Sequence, residues 1–232
     1  MNRIKSLVEK LIKDNYLILR MPFSENEKKD YSNGLKNFFN YAYSNQSKDK
    51  EFKKLKQRKD QGSLLINTNK YIENLLSKIV GKSEIVEVAK QLWLCDKIYY
   101  ASSFSHYRMV DPDIIEQMNY QVLHVDQSFL NTKSLNICLP ATAYGREFSG
   151  IEIFSRINNS TTTVNNIPKY KSVEPYVELG EALIFPETTP HQRTVLNKSK
   201  IRLNTEFRIF PDYTKDISNR FNLKEVGSQL KS

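Results

Sequence analysis

Gly180-Glu181-Ala182-Leu183-Ile184-Phe185-Pro186, then Pro190-His191, then Ile201-Arg202-Leu203-Asn204-Thr205-Glu206-Phe207-Arg208-Ile209 is the part of this 232-residue chain whose reading decides the fold. An apolar run of strand length, a proline-containing turn and a second run alternating polar with apolar describe β-strands joined by short connections. Successive side chains of a strand point to opposite faces. One face of the last run therefore carries Arg202, Asn204, Glu206 and Arg208, and the other carries Ile201, Leu203, Thr205, Phe207 and Ile209. The apolar face can pack on a helical layer. The polar face is either solvated or lines a cavity.

Strand patterns recur on the N-terminal side of this stretch. Tyr99 to Met109 is aromatic and alternating, and 120–124, 134–139, 150–155 and 173–178 are further candidates. With 181–186, 191–196 and 200–210 they make eight short strands with no long helix between them. That pattern points to a jelly roll, a cupin-like double-sheet barrel. Before residue 95 the periodicity is helical. Ile4, Leu7, Val8, Leu11 and Ile12 mark one amphipathic helix over 3–14. A short apolar run over 16–22 reads as a strand. Ser24 and Glu27 form a capping box opening a helix to about Ser44, with Leu35, Phe38, Phe39, Tyr41 and Tyr43 on offer to its buried side. Residues 47–62 are charged and read as a solvated helix or loop, and 69–94 as two helices joined near Gly81. The expected organisation is a single α+β domain over 1–232. It has a helical layer over 1–95, a mostly β core over 99–212 and a tail over 213–232 that forms a short helix. The connections 110–119 and 156–172 are long for such a fold, and the second, rich in Asn, Ser and Thr, reads as a mobile lid.

Composition limits the classes of function. Apolar residues at 39% and aromatic residues at 11% favour a folded globular protein. The net charge of +9 is concentrated in residues 1–60, which hold 15 Lys/Arg against 8 Asp/Glu. The basic run Lys53 to Lys59 lacks the interleaved aromatics of a nucleic-acid platform, so a solvated lysine-rich surface is the reading and no nucleic-acid partner is expected. Cys95 and Cys138 each stand among apolar neighbours and read as buried free thiols. The N-terminus opens an amphipathic pattern rather than a signal peptide. No apolar run approaches the roughly 18 residues a membrane helix needs. A cytoplasmic location with no membrane partner is the expectation.

The candidate site residues are few, because the chain has three histidines. His124 and Asp126 are two apart, which on a strand end points both to one face. Taken alone they are equally a paired His and Asp in a surface turn. His191 follows 65 residues after Asp126 and, by itself, reads as an ordinary core or turn histidine. Two histidines and one carboxylate can nevertheless occupy one face of a non-haem iron and leave the other face open. Arg202, 11 residues after His191, suits a bidentate grip on a carboxylate. Arg208 is on the same face but about 20 Å further along at strand rise, so it is not expected to share that task.

Together these residues resemble the Fe(II)/2-oxoglutarate-dependent oxygenases, most closely the phytanoyl-CoA dioxygenase-like family, over roughly residues 99–210. The family pattern is H-x-D, a distal His within a Gly-acidic, apolar-strand, turn context, and an Arg about ten positions beyond. Here Gly180, Glu181, Leu183-Ile184-Phe185, His191, Asn197 and Arg202 fill those places in order. The resemblance implies a double-stranded β-helix, iron held by His124, Asp126 and His191, and 2-oxoglutarate with its distal carboxylate on Arg202. It also implies a co-substrate contact for Gln121, which is otherwise a plain strand residue, and more weakly for Asn136. The implied reaction is hydroxylation of an aliphatic C–H bond of a small metabolite with O2, giving succinate and CO2. Halogenating relatives replace the metal-binding carboxylate by a small residue, so the presence of Asp126 disfavours that chemistry. The family often closes its fourth strand with a "Pro-Gly-Ser-His"-like turn. This chain departs from it with Ser155-Arg156-Ile157-Asn158-Asn159-Ser160. The competing readings are a non-oxidative cupin-like metal enzyme and a non-catalytic barrel that binds a carbohydrate or a partner.

Overall fold

The computed structural model describes residues 2–44, 64–67, 80–101, 106–110, 123–126, 132–154, 171–194, 200–212 and 223–226. Three helices come first. Helix α1 (Arg3–Asp14) is capped by Asn2, whose side chain accepts from the Ile4 amide, and ends at Asn15 in the left-handed region (φ 62°). Val8 and Leu11 face inward, whereas Ile12 is exposed, so the apolar face is one residue narrower than the periodicity suggests. Helix α2 (Glu25–Ser44) opens on the predicted capping box: the Glu27 amide donates to Ser24 Oγ and the Ser24 amide to Glu27 Oε2. Tyr31, Leu35 and Phe39, four residues apart, form its buried stripe. Helix α3 (Glu84–Trp93) follows a turn at Lys82–Ser83, beside the predicted joint at Gly81, and buries Ile85, Val88 and Ala89.

Two antiparallel sheets carry the rest. The larger contains β1 (Leu17–Arg20), β2 (Leu64–Asn67), β3 (Ile98–Ala101), β4 (His106–Val110), β5 (Leu135–Pro140), β8 (Glu181–Pro186), β10 (Arg202–Pro211) and β11 (Leu223–Glu225). Its order is β1-β8-β5-β10. The far edge of β10 is shared by β4 at residues 202–206 and by β3 at 209–211. The smaller sheet is β7 (Ser172–Val173), β6 (Gly150–Phe154) and β9 (His191–Thr194), and a single bridge from His124 to His191 extends it. From β4 onward the chain crosses between the sheets in the sequence large, small, large, small, small, large, small, large. That is the winding of a double-stranded β-helix, as the sequence predicts.

Strand alternation divides the interior into two cores. Outward residues of the large sheet, including Leu135, Ile137, Leu139, Ile184, Leu203, Phe207 and Ile209, meet Leu11, Leu35, Phe39, Ile85 and Val88 of the helical layer. Inward residues of both sheets, Cys138, Leu183 and Phe185 against Tyr144, Ile151, Ile153 and Val177, form a smaller cluster between them. Among the described residues, no helix is long and apolar enough to cross a membrane.

Several details differ from the sequence reading. Tyr99–Met109 is not one strand but β3 and β4, which pair successive stretches of β10. Of 173–178, only the start is a strand, and Val177 makes a lone bridge to Tyr144. The tail contributes β11 against β3 rather than a helix at 223–225, because pairing on an open edge outweighs the weak helical preference of three residues. Leu64–Asn67 pairs with β4, a strand the periodicity does not mark. Cys138 is buried, but Cys95 is only half-buried. Residues 47–62, the connection 111–119 and all but the last two residues of the expected lid at 156–172 lie outside the described residues.

Helix and sheet are tied by more than apolar contact. The Tyr31 hydroxyl donates to the Leu139 carbonyl at 2.7 Å and meets Thr205 Oγ1 at 2.8 Å, all fully buried. Tyr31→Phe leaves two buried polar groups short of a partner. It is expected to lower unfolding free energy in urea by about 1–3 kcal/mol. A change within a few tenths of a kcal/mol would show that the helix–sheet contact rests on apolar packing alone.

Candidate metal centre

The turn between β8 and β9 sets the position of His191. Gly180 enters β8 at φ +92°, a conformation in which a Cβ would meet the Lys28 chain. At the other end of β8, the Glu187 amide donates to the Ser134 carbonyl and its carboxylate accepts from the Ser134 amide. Thr189, fully buried, donates its hydroxyl to the carbonyl of Asn15, the residue that ends α1. The Thr189 carbonyl in turn lies 3.0 Å from His191 Nδ1. A carbonyl only accepts, so Nδ1 carries the proton and Nε2 presents its lone pair.

That lone pair points to Asp126. His191 Nε2 stands 3.9 Å from Asp126 Oδ2, and His124 Nε2 stands 3.8 Å from Asp126 Oδ1. One ligand atom from each of the three residues lies within 4.8 Å of the other two. The two histidines are brought together by paired backbone hydrogen bonds, His124 N to His191 O at 3.1 Å and His191 N to His124 O at 3.0 Å. Their rings stand 4.3 Å apart, and Phe185 covers His191 from the core at 4.8 Å. Ligand atoms bound at about 2.1 Å on one octahedral face stand roughly 3 Å apart, so a modest inward movement of each side chain would close the set on an ion. Asp126 is buried, while the His124 side chain is nearly half exposed, so the cluster opens to the outside along His124.

Asp126 is held from the large sheet. Its Oδ2 accepts from Asn136 Nδ2 at 2.7 Å and from Arg208 Nη2 at 3.0 Å. Asn136 and Arg208 are cross-strand partners on β5 and β10. Asn136 thus sits at the carboxylate. Arg208, set aside in the sequence as too distant from Arg202, does lie away from it, but the distance along the strand brings it to the metal ligands. Sequence reasoning missed this role. The available signal was a second arginine on the inward polar face of β10. Gln121 lies outside the described residues.

Arg202 is at the other end of that face and almost wholly buried. Its Nη1 donates to the Gly150 carbonyl at 2.8 Å and the Ser149 carbonyl at 3.3 Å, and its guanidinium lies over the Tyr144 ring at 4.7 Å. Among the described residues no carboxylate lies within ion-pair distance of it, whereas Arg108 is paired with Glu206 at 2.7 Å. Its Nε, the Tyr144 hydroxyl and the Ser149 hydroxyl are buried with no hydrogen-bond partner among the described residues. Burial pushes Arg202 below the usual arginine range, and Tyr144 and Glu206 pull it back only in part. A buried cation with idle donors around it suits an anion with several lone pairs. Burial raises the Cys138 thiol, and the charges acting on it include both Arg202 and Asp126. Cys138 therefore stands between the arginine and the metal ligands, inside one barrel.

Burial also lowers His191 to about 4, against the pull of Asp126 and aided by His124. The neutral form, which is the ligand form, is favoured in the fold. Because the unfolded chain takes up the proton first, this contribution is complete above about pH 6.5 and is lost as pH falls towards 4. The metal-free protein is expected to lose on the order of 3 kcal/mol of stability across that window. His191→Gln should flatten the profile, and an unchanged slope in denaturant melts at stepped pH would show that another group is responsible.

No family model and no curated protein matches the sequence. Solved structures do match the fold. The non-haem α-ketoglutarate-dependent epimerase SnoN from nogalamycin biosynthesis superposes with a TM-score of 0.65 at 10% identity, covering 90% of this chain and 82% of that one. The α-ketoglutarate-dependent carbocyclase SnoK from the same biosynthesis gives 0.62 at 12% identity, with 91% and 84% covered. EctD from S. alaskensis, solved with bound Fe, gives 0.60 at 11% identity, with 91% and 77% covered. At these identities the likeness is one of fold.

Proposed function

We propose that this chain is a non-haem Fe(II)- and 2-oxoglutarate-dependent oxygenase acting on a small molecule. The observation that carries the reading is the pairing, within one barrel, of the His124–Asp126–His191 cluster with a buried arginine that has no carboxylate of its own. Two neutral imidazoles and one carboxylate suit ferrous iron bound on one face, with the opposite face open. His124, Asp126 and His191 would hold the metal. Arg202 would hold the distal carboxylate of 2-oxoglutarate, with the Tyr144 and Ser149 hydroxyls close by. The fold supports the reading, since the neighbours include iron- and α-ketoglutarate-dependent enzymes.

Bound iron and 2-oxoglutarate supply an oxidant for C–H bonds from O2, with succinate and CO2 as co-products. The chain's own residues have the remaining tasks. His191 keeps its proton on Nδ1 and offers Nε2. Phe185, Leu183, Ile151 and Ile153 line the inward apolar cluster and keep water from that side of the site. Arg202 fixes the length and orientation of the acid that reaches the metal. The finer reading is hydroxylation of an aliphatic C–H bond. The neighbours include an epimerase and a carbocyclase as well, so the placement of substrate over the metal, rather than the ligand set, selects the outcome.

The test is an anaerobic titration of the metal-free protein with Fe(II) and 2-oxoglutarate, followed by the weak visible band of the chelate, and then by O2-dependent succinate release. A protein that binds metal but forms no chelate would favour the non-oxidative cupin-like reading. One that binds neither would favour a non-catalytic barrel. Arg202→Ala removes one partner of a buried charge pair, a loss of about 3–5 kcal/mol. That corresponds to 2-oxoglutarate binding weaker by roughly two to three orders of magnitude. Metal binding should survive, because Arg202 is not a ligand. Unchanged affinity for 2-oxoglutarate in this variant would remove the clamp assignment.

A further inference from the structure

The metal-site carboxylate is held by only one of its two oxygens. Asp126 Oδ2 accepts two hydrogen bonds, from Asn136 Nδ2 at 2.7 Å and Arg208 Nη2 at 3.0 Å. A carboxylate oxygen has two lone-pair directions, so these two donors fill Oδ2. Oδ1 faces His124 Nε2 at 3.8 Å. We propose that Asn136 and Arg208 are positioning residues that clamp Asp126 Oδ2, so that Oδ1 alone binds the metal and the carboxylate cannot chelate it through both oxygens. The proposal rests on the metal reading above and gives Asn136 a task other than contact with the co-substrate.

The geometry makes the pair well suited to this. Asn136 and Arg208 face one another across β5 and β10, the central strands of the large sheet, and are fixed by the ladder on which Cys138↔Glu206 and Ile137↔Phe207 also lie. Asn136 is buried, and the Arg208 side chain is largely so. Asp126 itself lies on a short turn with no ladder of its own, just after the His124 bridge. Without the clamp its side chain would be free to rotate. Denticity matters because a metal with six positions and three single-atom ligands keeps three open, two for a chelating keto acid and one for O2. A two-oxygen carboxylate removes one of these.

Two opposing effects act when either donor is lost. Loss of orientation weakens metal binding, typically 10- to 100-fold for a partner of a metal ligand. Loss of Arg208 also removes a positive charge near the ion, which strengthens binding. Asn136 is neutral, so its removal isolates orientation. Asn136→Ala is expected to bind Co(II) roughly 10-fold more weakly than wild type. The visible bands of the bound Co(II) should change as the released carboxylate turns both oxygens to the metal. Arg208→Lys keeps a cationic donor and should leave the bands in place, whereas Arg208→Met should shift them. Circular dichroism checks the fold of each, and Arg208→Met carries the test if Asn136→Ala fails to fold.

A wild-type Co(II) spectrum in Asn136→Ala, or affinity within twofold of wild type, overturns the proposal. So do unchanged bands in Arg208→Met. A wild-type protein that binds no Co(II) removes the metal reading itself, a result separate from wild-type binding that the variants fail to alter.

Discussion

A strand shows one side chain to each face every two residues, and β10 puts that rule to two incompatible uses. Its outward row, Leu203, Thr205, Phe207 and Ile209, closes the core beneath the helices. Its inward row, Arg202, Asn204, Glu206 and Arg208, carries four hydrogen-bonding side chains into the barrel, three of them charged. A slip of one residue in the pairing of β10 would exchange these rows and place charges against the helical layer. Register is therefore held firmly. Six residues pair with β5 on one side, while β4 and β3 divide the other between them. The helical layer, the charged interior and the metal ligands all take their places from that register.

Charge within the barrel follows a simple pattern. Arg108 and Glu206 pair, and so do Arg208 and Asp126. Each pairing satisfies a carboxylate that would otherwise be costly to bury. Arg202 has instead two backbone carbonyls and an aromatic face. Carbonyl dipoles and a ring quadrupole soften the burial of a guanidinium without neutralising it.

Much of this was legible from residue order. The capping box at Ser24 and Glu27, the four-residue spacing of Tyr31, Leu35 and Phe39, and the alternation of 201–209 are local signals, and each produced the expected element. His124, Asp126 and His191 were readable as a set because histidine is rare in this chain. What stayed hidden depends on partners distant in sequence. β2 and β11 are strands because β4 and β3 offer them open edges. Arg208 was measured against Arg202 along one strand, whereas its partner is Asp126, more than 80 residues earlier. No periodicity reports such a distance.

The unpaired burial of Arg202 also bears on how long the folded chain lasts. A ligand that binds the folded state alone stabilises it by mass action, by about 2.7 kcal/mol when present at 100 times its dissociation constant. An acid that neutralises Arg202 does this with the added advantage of relieving a buried charge. Unfolding, and the proteolysis that follows it, would slow whenever that acid is plentiful. The abundance of the protein would then track the supply of a metabolite through turnover, with no regulator beyond one guanidinium in the floor of a barrel.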